Sequence, residues 1–226
     1  MQSENFIKEI SKFNSQYYER KYKAGSTILY QGEAPRTACI VVEGVVKVYA
    51  ISRTGEEQIV ALHVKNEPFP TSWLFETSPT TLFFYEAMTT CTIGHLPKTI
   101  LIDFYFSSSA RTKLLLNYFA RNYSASLIRT NALQQSRARD KLLYTLYYLA
   151  IRYAQQKSDI VNLPILLTHQ SLANLVGITR ETTASELSKL KKQNILKYKN
   201  QRYIINTKQL LLQLGEDNFD GLNIKP

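Results

Sequence analysis

Short runs of apolar and β-branched residues fill the stretch from 22 to 100: Thr27–Tyr30, Ala38–Val42, Val45–Ile51, Gln58–Val64, Thr81–Ala87 and Thr92–Leu96. Gly25, Gly32, Gly44 and Gly55 punctuate them roughly every ten residues, the rhythm of an all-β sandwich or barrel. Residues 66–80 (NEPFPTSWLFETSPT) hold three prolines and are expected to form an irregular loop. Ahead of the strands, Phe6–Phe13 has the spacing of a short amphipathic helix.

From Ser109 to Ser136 the pattern changes period. Neither Gly nor Pro occurs, and Leu116, Phe119, Tyr123, Ser126, Thr130 and Leu133 follow a 3,4,3,4,3 spacing. That is the seam of a coiled coil, weakened by its two hydroxyl residues. A helix pairing with a second copy and a helix packed within one chain both fit it. A second helix, Asp140–Gln156, rich in Leu and Tyr, is predicted next.

The segment Leu167–Ile205 carries a more specific pattern. Thr168 can cap a helix His169–Val176, whose Leu172, Leu175 and Val176 share a face and whose Ala173 leaves room for a crossing helix. Gly177 suits the tight turn, where a positive φ costs little. Thr179 can cap a second helix, Arg180–Lys192, with Leu187 and Leu190 turned inward. Helix, glycine turn and helix at this spacing make a helix-turn-helix. Ile195–Tyr198 and Tyr203–Asn206 then read as the two strands of a wing around the turn Lys199–Arg202.

Charge sharpens this picture. The chain's formal net charge is +10. Residues 1–108 hold 10 Lys/Arg against 11 Asp/Glu, residues 109–214 hold 17 against 4, and residues 215–226 hold 1 against 3. The excess sits where the helix-turn-helix lies, the footprint of a surface that docks on a polyanion. The first residues of a recognition helix enter the major groove, so Arg180, Glu181, Thr182 and Ser185 are the candidate base readers. Arg matches the O6 and N7 of guanine, and Glu accepts from the N4 of cytosine. Thr168, His169, Thr179, Lys197, Lys199 and Arg202 are the candidate phosphate contacts.

Other chemistries find little support. Histidines occur at 63, 95 and 169 only, with no metal spacing, no triad and no glycine-rich phosphate loop, so no enzyme, metal site or cofactor is expected. Cys39 and Cys91 lie 52 residues apart among apolar neighbours and read as packed thiols, with a redox role as the other reading. No apolar run approaches the ~20 residues that span a bilayer. The start, MQSENFIKEISKF, lacks a signal peptide's apolar centre, which sets the expectation of a cytoplasmic protein.

With these residues in hand, the chain resembles the cyclic-AMP receptor protein/FNR (Crp/Fnr) family of bacterial regulators, from about Lys21 to Thr207. The resemblance lies in Tyr22-Lys-Ala-Gly25, Ile28-Leu-Tyr-Gln-Gly-Glu33 and Ile40-Val-Val-Glu-Gly-Val-Val-Lys-Val48, then in Ile178-Thr-Arg-Glu-Thr182 and Leu190-Lys-Lys-Gln-Asn-Ile-Leu196. It implies an α+β chain with three parts. These are an N-terminal β-roll like a cyclic-nucleotide-binding jelly roll (1–108), a long dimerisation helix (109–137) and a C-terminal winged helix-turn-helix (138–226). It further implies a homodimer on a near-palindromic DNA site, with RNA polymerase as a partner.

Three departures qualify what carries over. Nucleotide-binding relatives hold the phosphate with a Gly-Glu pair and an Arg, but Phe69–Ala87 contains neither Gly nor Arg. Two neighbouring hydroxyls that touch the base in those relatives fall here on Ser126 and Leu127, so one is lost. Cluster-binding relatives need an N-terminal cysteine set, which Met1–Tyr30 lacks; His63 and His95 match haem ligands by type alone. The reading helix keeps Arg180 and Glu181 but has Ser185 where the receptor protein has a third base-reading Arg, and Thr183 and Glu186 at two ordinarily apolar positions. The expectation is therefore a regulator controlled neither by cyclic AMP nor by an iron–sulfur cluster. Phe69, Trp73, Leu74, Phe75, Ser126 and Leu127 are candidates for the pocket of an unidentified uncharged or apolar effector, and ordinary core is the other reading of Phe69, Trp73, Leu74 and Phe75. The roll could equally respond to a partner protein or to nothing. A protein-interaction adaptor that uses the same two domains without DNA is the other reading.

Overall fold

A computed structural model describes residues 6–154, 158–215 and 225. It forms two compact units, Met1–Asn117 and Tyr118–Pro226.

The first unit opens with α1 (Phe6–Phe13), which buries Ile10 completely. Eight strands follow: β1 (Tyr18–Tyr22), β2 (Thr27–Leu29), β3 (Ala38–Glu43), β4 (Val46–Ile51), β5 (Glu57–His63), β6 (Pro68–Phe69), β7 (Phe84–Ala87) and β8 (Cys91–Leu96). They pair antiparallel in two four-stranded sheets, ordered β1-β8-β3-β6 and β2-β7-β4-β5. The inner faces meet in one core, to which the first sheet brings Cys39, Val41, Phe69, Cys91 and Ile93. The second brings Leu29, Val46, Val48, Tyr85 and Ala87. This is the expected roll: alternate residues of each strand face the other sheet, and their burial holds the two together. Gly44 makes the β3–β4 connection possible. Its φ is +92°, and a Cβ there would stand 2.6 Å from the Thr90 carbonyl oxygen and 2.7 Å from the Cys91 sulfur.

Sequence patterning missed two strands and two helices of this unit. β1 (YERKY) is a polar edge strand with four exposed residues, so it lacks the alternation that marks half-buried strands. The stretch 66–80 is not wholly irregular: β6 pairs Pro68 and Phe69 with Ile40 and Cys39, and α2 (Thr71–Leu74) follows. Its prolines sit at an edge strand and just before a helix, where a missing N–H is tolerated. α3 (Lys98–Phe106) is apolar around most of its circumference, a pattern that does not separate helix from strand. It buries Leu101, Phe104 and Tyr105, and Phe104 meets Phe6 and Phe13 of α1 edge to face.

α4 (Ser109–Gln134) runs from the first unit into the second. α5 (Ala138–Tyr153) buries eleven of its residues; the predicted end at Gln156 lies outside the described residues. Next come β9 (Ile160–Asn162), α6 (His169–Val176), α7 (Arg180–Lys192), β10 (Leu196–Lys199), β11 (Arg202–Asn206) and α8 (Thr207–Leu214). The two central helices have the bounds expected from their caps. β9 and α8 were not foreseen; the first is three residues long, and the second follows β11 with no intervening residue. The small sheet is ordered β10-β11-β9.

Candidate nucleic-acid interface

Local chemistry builds the helix-turn-helix. The Thr168 hydroxyl accepts the amide of Ser171 at 3.0 Å and caps α6. Leu172, Ala173, Leu175 and Val176 are all buried. Gly177, at φ 73°, lets the chain turn while its amide and that of Ile178 both bond the Ala173 carbonyl. The Thr179 hydroxyl accepts the amide of Thr182 at 3.1 Å and caps α7. Thr183, at an ordinarily apolar position, is fully buried because its hydroxyl donates to the Thr179 carbonyl at 2.9 Å, leaving its methyl to pack with Leu187 and Leu190. Glu186, at the other such position, has a side chain only 13% exposed, and one oxygen accepts from Lys189 at 2.6 Å.

The first two turns of α7 therefore stand on a fixed base with polar side chains outward. Arg180, Glu181 and Ser185 are exposed. Thr182 is half-buried and its hydroxyl lies 2.8 Å from that of Thr179, so it braces the cap as well as facing the same side as its neighbours. Thr168 and Thr179, expected at phosphates, are exposed and both are engaged as caps.

In the wing, Lys199 pairs with Arg202 across a two-residue turn whose Asn200 and Gln201 have φ of 50° and 60°. Positive φ at both central positions matches the natural twist of a tight hairpin. Strand alternation puts Lys197 and Lys199 on one face, with Arg202 directly opposite Lys199, and all three are exposed. Between them Tyr198 turns the other way. Its ring lies 4.7 Å from that of His169 and 4.7 Å from that of Tyr203, and its hydroxyl donates to the Leu167 carbonyl at 3.4 Å. His169 is thus half-buried against the wing at the start of α6. Tyr198 escaped the sequence reading; its place between two outward lysines of a strand was the available signal.

Two arginines inside this unit also escaped it. Arg129 of α4 donates to the Leu175 carbonyl at 3.1 Å, and Arg152 of α5, 2% exposed, donates to the Asn122 side-chain oxygen at 3.1 Å. Arg129 sits four residues after Ala125 and three before Ala132, both buried, so helical spacing alone places it on the inward face.

The six seam residues of α4 lie on its other face. Leu116, Phe119, Tyr123 and Leu133 are 63%, 37%, 68% and 38% exposed, and Ser126 and Thr130 are also exposed, while Leu115, Tyr118, Ala125, Ile128 and Ala132 are buried.

The candidate effector residues of the roll occupy different surroundings. Phe69 is fully buried in the roll, stacked 5.2 Å from Tyr85 and 5.7 Å from His63. Leu74 and Phe75 line an open depression of about 360 Å³ with Lys98, Ile102, Asp103 and Phe106. Trp73 lies under the Lys98 ammonium at 5.3 Å, and Ser126 and Leu127 are exposed on α4.

The remaining titratable groups of the roll are engaged in structure. His95 is buried, with Nε2 3.1 Å from the Tyr22 hydroxyl, Nδ1 3.0 Å from the Thr37 hydroxyl, and the Tyr18 ring stacked at 5.1 Å. Burial, helped by the positive charge of Arg20, pulls its pKa down to about 4. His63 pairs with the Glu67 carboxylate at 3.1 Å. Both cysteines are free and buried, and burial pushes the Cys39 thiol up to about 12 and raises that of Cys91. No group of three metal-ligating side chains occurs among the described residues, and no helix among them is long and apolar enough to cross a membrane.

A two-sheet roll followed by a winged helix-turn-helix defines a class of DNA-binding regulator, and comparison with known proteins agrees. Residues 19–108 match the cyclic nucleotide-binding domain, and residues 140–214 match the Crp-like helix-turn-helix domain. The HTH-type transcriptional regulator ArcR of Staphylococcus haemolyticus is 26% identical over 188 residues, 83% of this chain and 82% of that one. The fumarate and nitrate reduction regulatory protein of Vibrio cholerae is 23% identical over 202 residues, 88% and 80% of the two chains. Among solved structures, FixK2 from Bradyrhizobium japonicum superposes with a TM-score of 0.69 at 21% identity, covering 86% of this chain and 95% of that one. A cyclic nucleotide-binding domain containing protein from Listeria monocytogenes gives a TM-score of 0.77 at 14% identity, covering 92% and 100%. The chain belongs to the Crp/Fnr family; it is a transcription regulator with a helix-turn-helix, and the relatives named above are transcriptional regulators.

Proposed function

We propose that the protein is a cytoplasmic, homodimeric regulator that reads a near-palindromic DNA site and works with RNA polymerase, under the control of neither cyclic AMP nor an iron–sulfur cluster. In this reading residues 1–108 are the sensor-like roll, 109–137 the pairing helix and 138–226 the DNA reader. The observation that carries it is the first two turns of α7, where Arg180, Glu181 and Ser185 stand exposed on a doubly capped, well-packed scaffold. Glu181 is the informative member. A carboxylate facing a polyanion is unfavourable, so its place is accounted for by acceptance of a hydrogen bond from a base edge. Ser185 leaves the half-site relaxed where it faces. Lys197, Lys199, Arg202, His169 and the capping threonines Thr168 and Thr179 supply phosphate contacts, which hold the register without choosing sequence.

Dimerisation rests on α4. A stripe of Leu116, Phe119, Tyr123 and Leu133 at seam spacing, exposed in the single chain, has its natural cover in the same stripe of a second copy. Against cyclic AMP stands the stretch Phe69–Ala87, which offers a phosphodiester neither a glycine cradle nor an Arg. Against a cysteine-held cluster stand Cys39 and Cys91, both packed in the roll core. An uncharged effector would find Leu74 and Phe75 in the depression beside Ile102 and Phe106.

Selection of bound sequences from a random duplex pool, followed by salt titrations, tests the proposal. The expected outcome is a palindromic motif with half-sites about one helical turn apart. Its specificity is lost or relaxed in Arg180→Ala and Glu181→Ala. Absence of binding at low salt would overturn it in favour of a protein-interaction adaptor.

A further inference from the structure

The second compact unit begins at Tyr118, inside α4, so the C-terminal half of the seam helix packs with the DNA reader. α6 and α7 lean chiefly on α5 and on each other. Arg129 supplies a direct tie from α4. Its Nη2 donates to the carbonyl of Leu175, 3.1 Å away, in the last turn of α6. Carbonyls there have no partner within the helix and carry the negative end of its dipole. The Ala173 carbonyl is already served by Gly177 and Ile178; Leu175, 1% exposed, is served by Arg129. The guanidinium therefore acts as a side-chain cap at the turn that aims α7. Burial lowers its pKa, and the phenols of Tyr148 and Tyr153 on α5 act in the opposite sense. Arg152 fastens the same helices from the other direction. It bonds Asn122 of α4, whose amide in turn donates to the Tyr118 carbonyl at 2.8 Å.

We propose that Arg129 is a positioning residue for DNA reading: it locks the seam-bearing half of α4 to the C-terminal end of α6, so that the pairing of two α4 helices dictates where the two α7 helices stand. The inference rests on the dimeric DNA-reading function proposed above. A guanidinium suits the task because its planar fork fixes direction as well as distance, whereas an ammonium on a flexible stem satisfies the carbonyl without fixing the angle. Without the lock, the helix-turn-helix keeps its own core of Leu172, Leu175, Val176, Leu187 and Leu190. What it loses is its bearing on α4.

The test is spacing tolerance. Affinity is measured for the selected site and for the same site with one base pair inserted between the half-sites, using wild type, Arg129→Met and Arg129→Lys. Circular dichroism reports the fold and sedimentation the dimer. In wild type the insertion costs about tenfold or more, equivalent to about 1.4 kcal/mol. In Arg129→Met the uninserted site binds about tenfold more weakly and the insertion costs less than about threefold, with the dimer intact. Arg129→Lys, the variant that best preserves the fold, falls between the two. A spacing penalty in the folded variants equal to that of wild type, even with a lowered Tm, overturns the role of Arg129. A wild type that forms no dimer or ignores spacing instead overturns the dimeric reading itself, so the two failures are distinguishable.

Discussion

Each unit holds a histidine in a cluster with two tyrosines, and the two clusters have opposite fates. In the roll, His95 is stacked under Tyr18 and bonded to Tyr22 and Thr37, and its burial keeps it neutral. In the winged helix, His169 rests on Tyr198, which rests on Tyr203, yet His169 stays half-exposed beside three exposed cations of the wing. The roll's interior thus withdraws its titratable groups from chemistry: both thiols are raised and the histidine is depressed. The reader keeps the charges of its recognition helix start and wing, Arg180, Glu181, Lys197, Lys199 and Arg202, in water, where they cost little to hold and the cations remain available to a polyanion. The contrast assigns stability to one cluster and binding to the other.

Perturbing each side separately can break that assignment. The largest effect is expected in the roll: Phe69→Ala, at a fully buried ring between Tyr85 and His63, should cost about 3–5 kcal/mol in urea unfolding. Next comes pH. An unfolded histidine takes up its proton near its ordinary value of 6.5, whereas folded His95 does so only near 4. Unfolding therefore binds a proton in that window, so the contribution is intact above about pH 7 and is lost as pH falls from about 6.5 to about 4. Its full size is up to about 3 kcal/mol. Unfolding of the wild type across that range should show the slope, and His95→Gln should flatten it; an unchanged slope would refute the role given to His95.

In the reader, Arg180→Ala should remove about 1–3 kcal/mol of discrimination at one guanine, measured with matched and mismatched duplexes, and leave the Tm near that of wild type. Thr179→Ala should cost about 1 kcal/mol of stability through the lost cap of α7. The smallest effect belongs to Lys199→Ala, which should weaken all sequences alike and reduce the slope of log K against log salt by about one. Sequence-dependent weakening in that variant would move Lys199 from phosphate to base.

Much of the reader was legible because its signals are local. Thr168, Gly177 and Thr179 each act within a few residues of themselves, so α6 and α7 emerged with their observed bounds. The exposed stripe on α4 was legible for a similar reason, since helical period depends on neighbouring turns. The roll was legible as strands and glycine turns, but not in full. β1 is a polar edge, α3 is apolar on too many sides to reveal its period, and Phe69 read both as a pocket candidate and as ordinary core until β6 turned it into the core.

Alone, then, the sequence determined the period of each long element, the caps and turn of the reader, and the location of its positive charge. All are properties of residues within one or two turns of each other, or of simple sums. Tertiary structure decided which polar side chains became silent and which stayed at work. His95 is neutral because distant Tyr22 and Thr37 close around it. Glu186 is held half inside by Lys189 and the surrounding packing. Arg129 reaches a carbonyl 46 positions away because α4, α5 and α6 meet there. Burial and long-range hydrogen bonds depend on which elements come together, and no window along the chain contains that information.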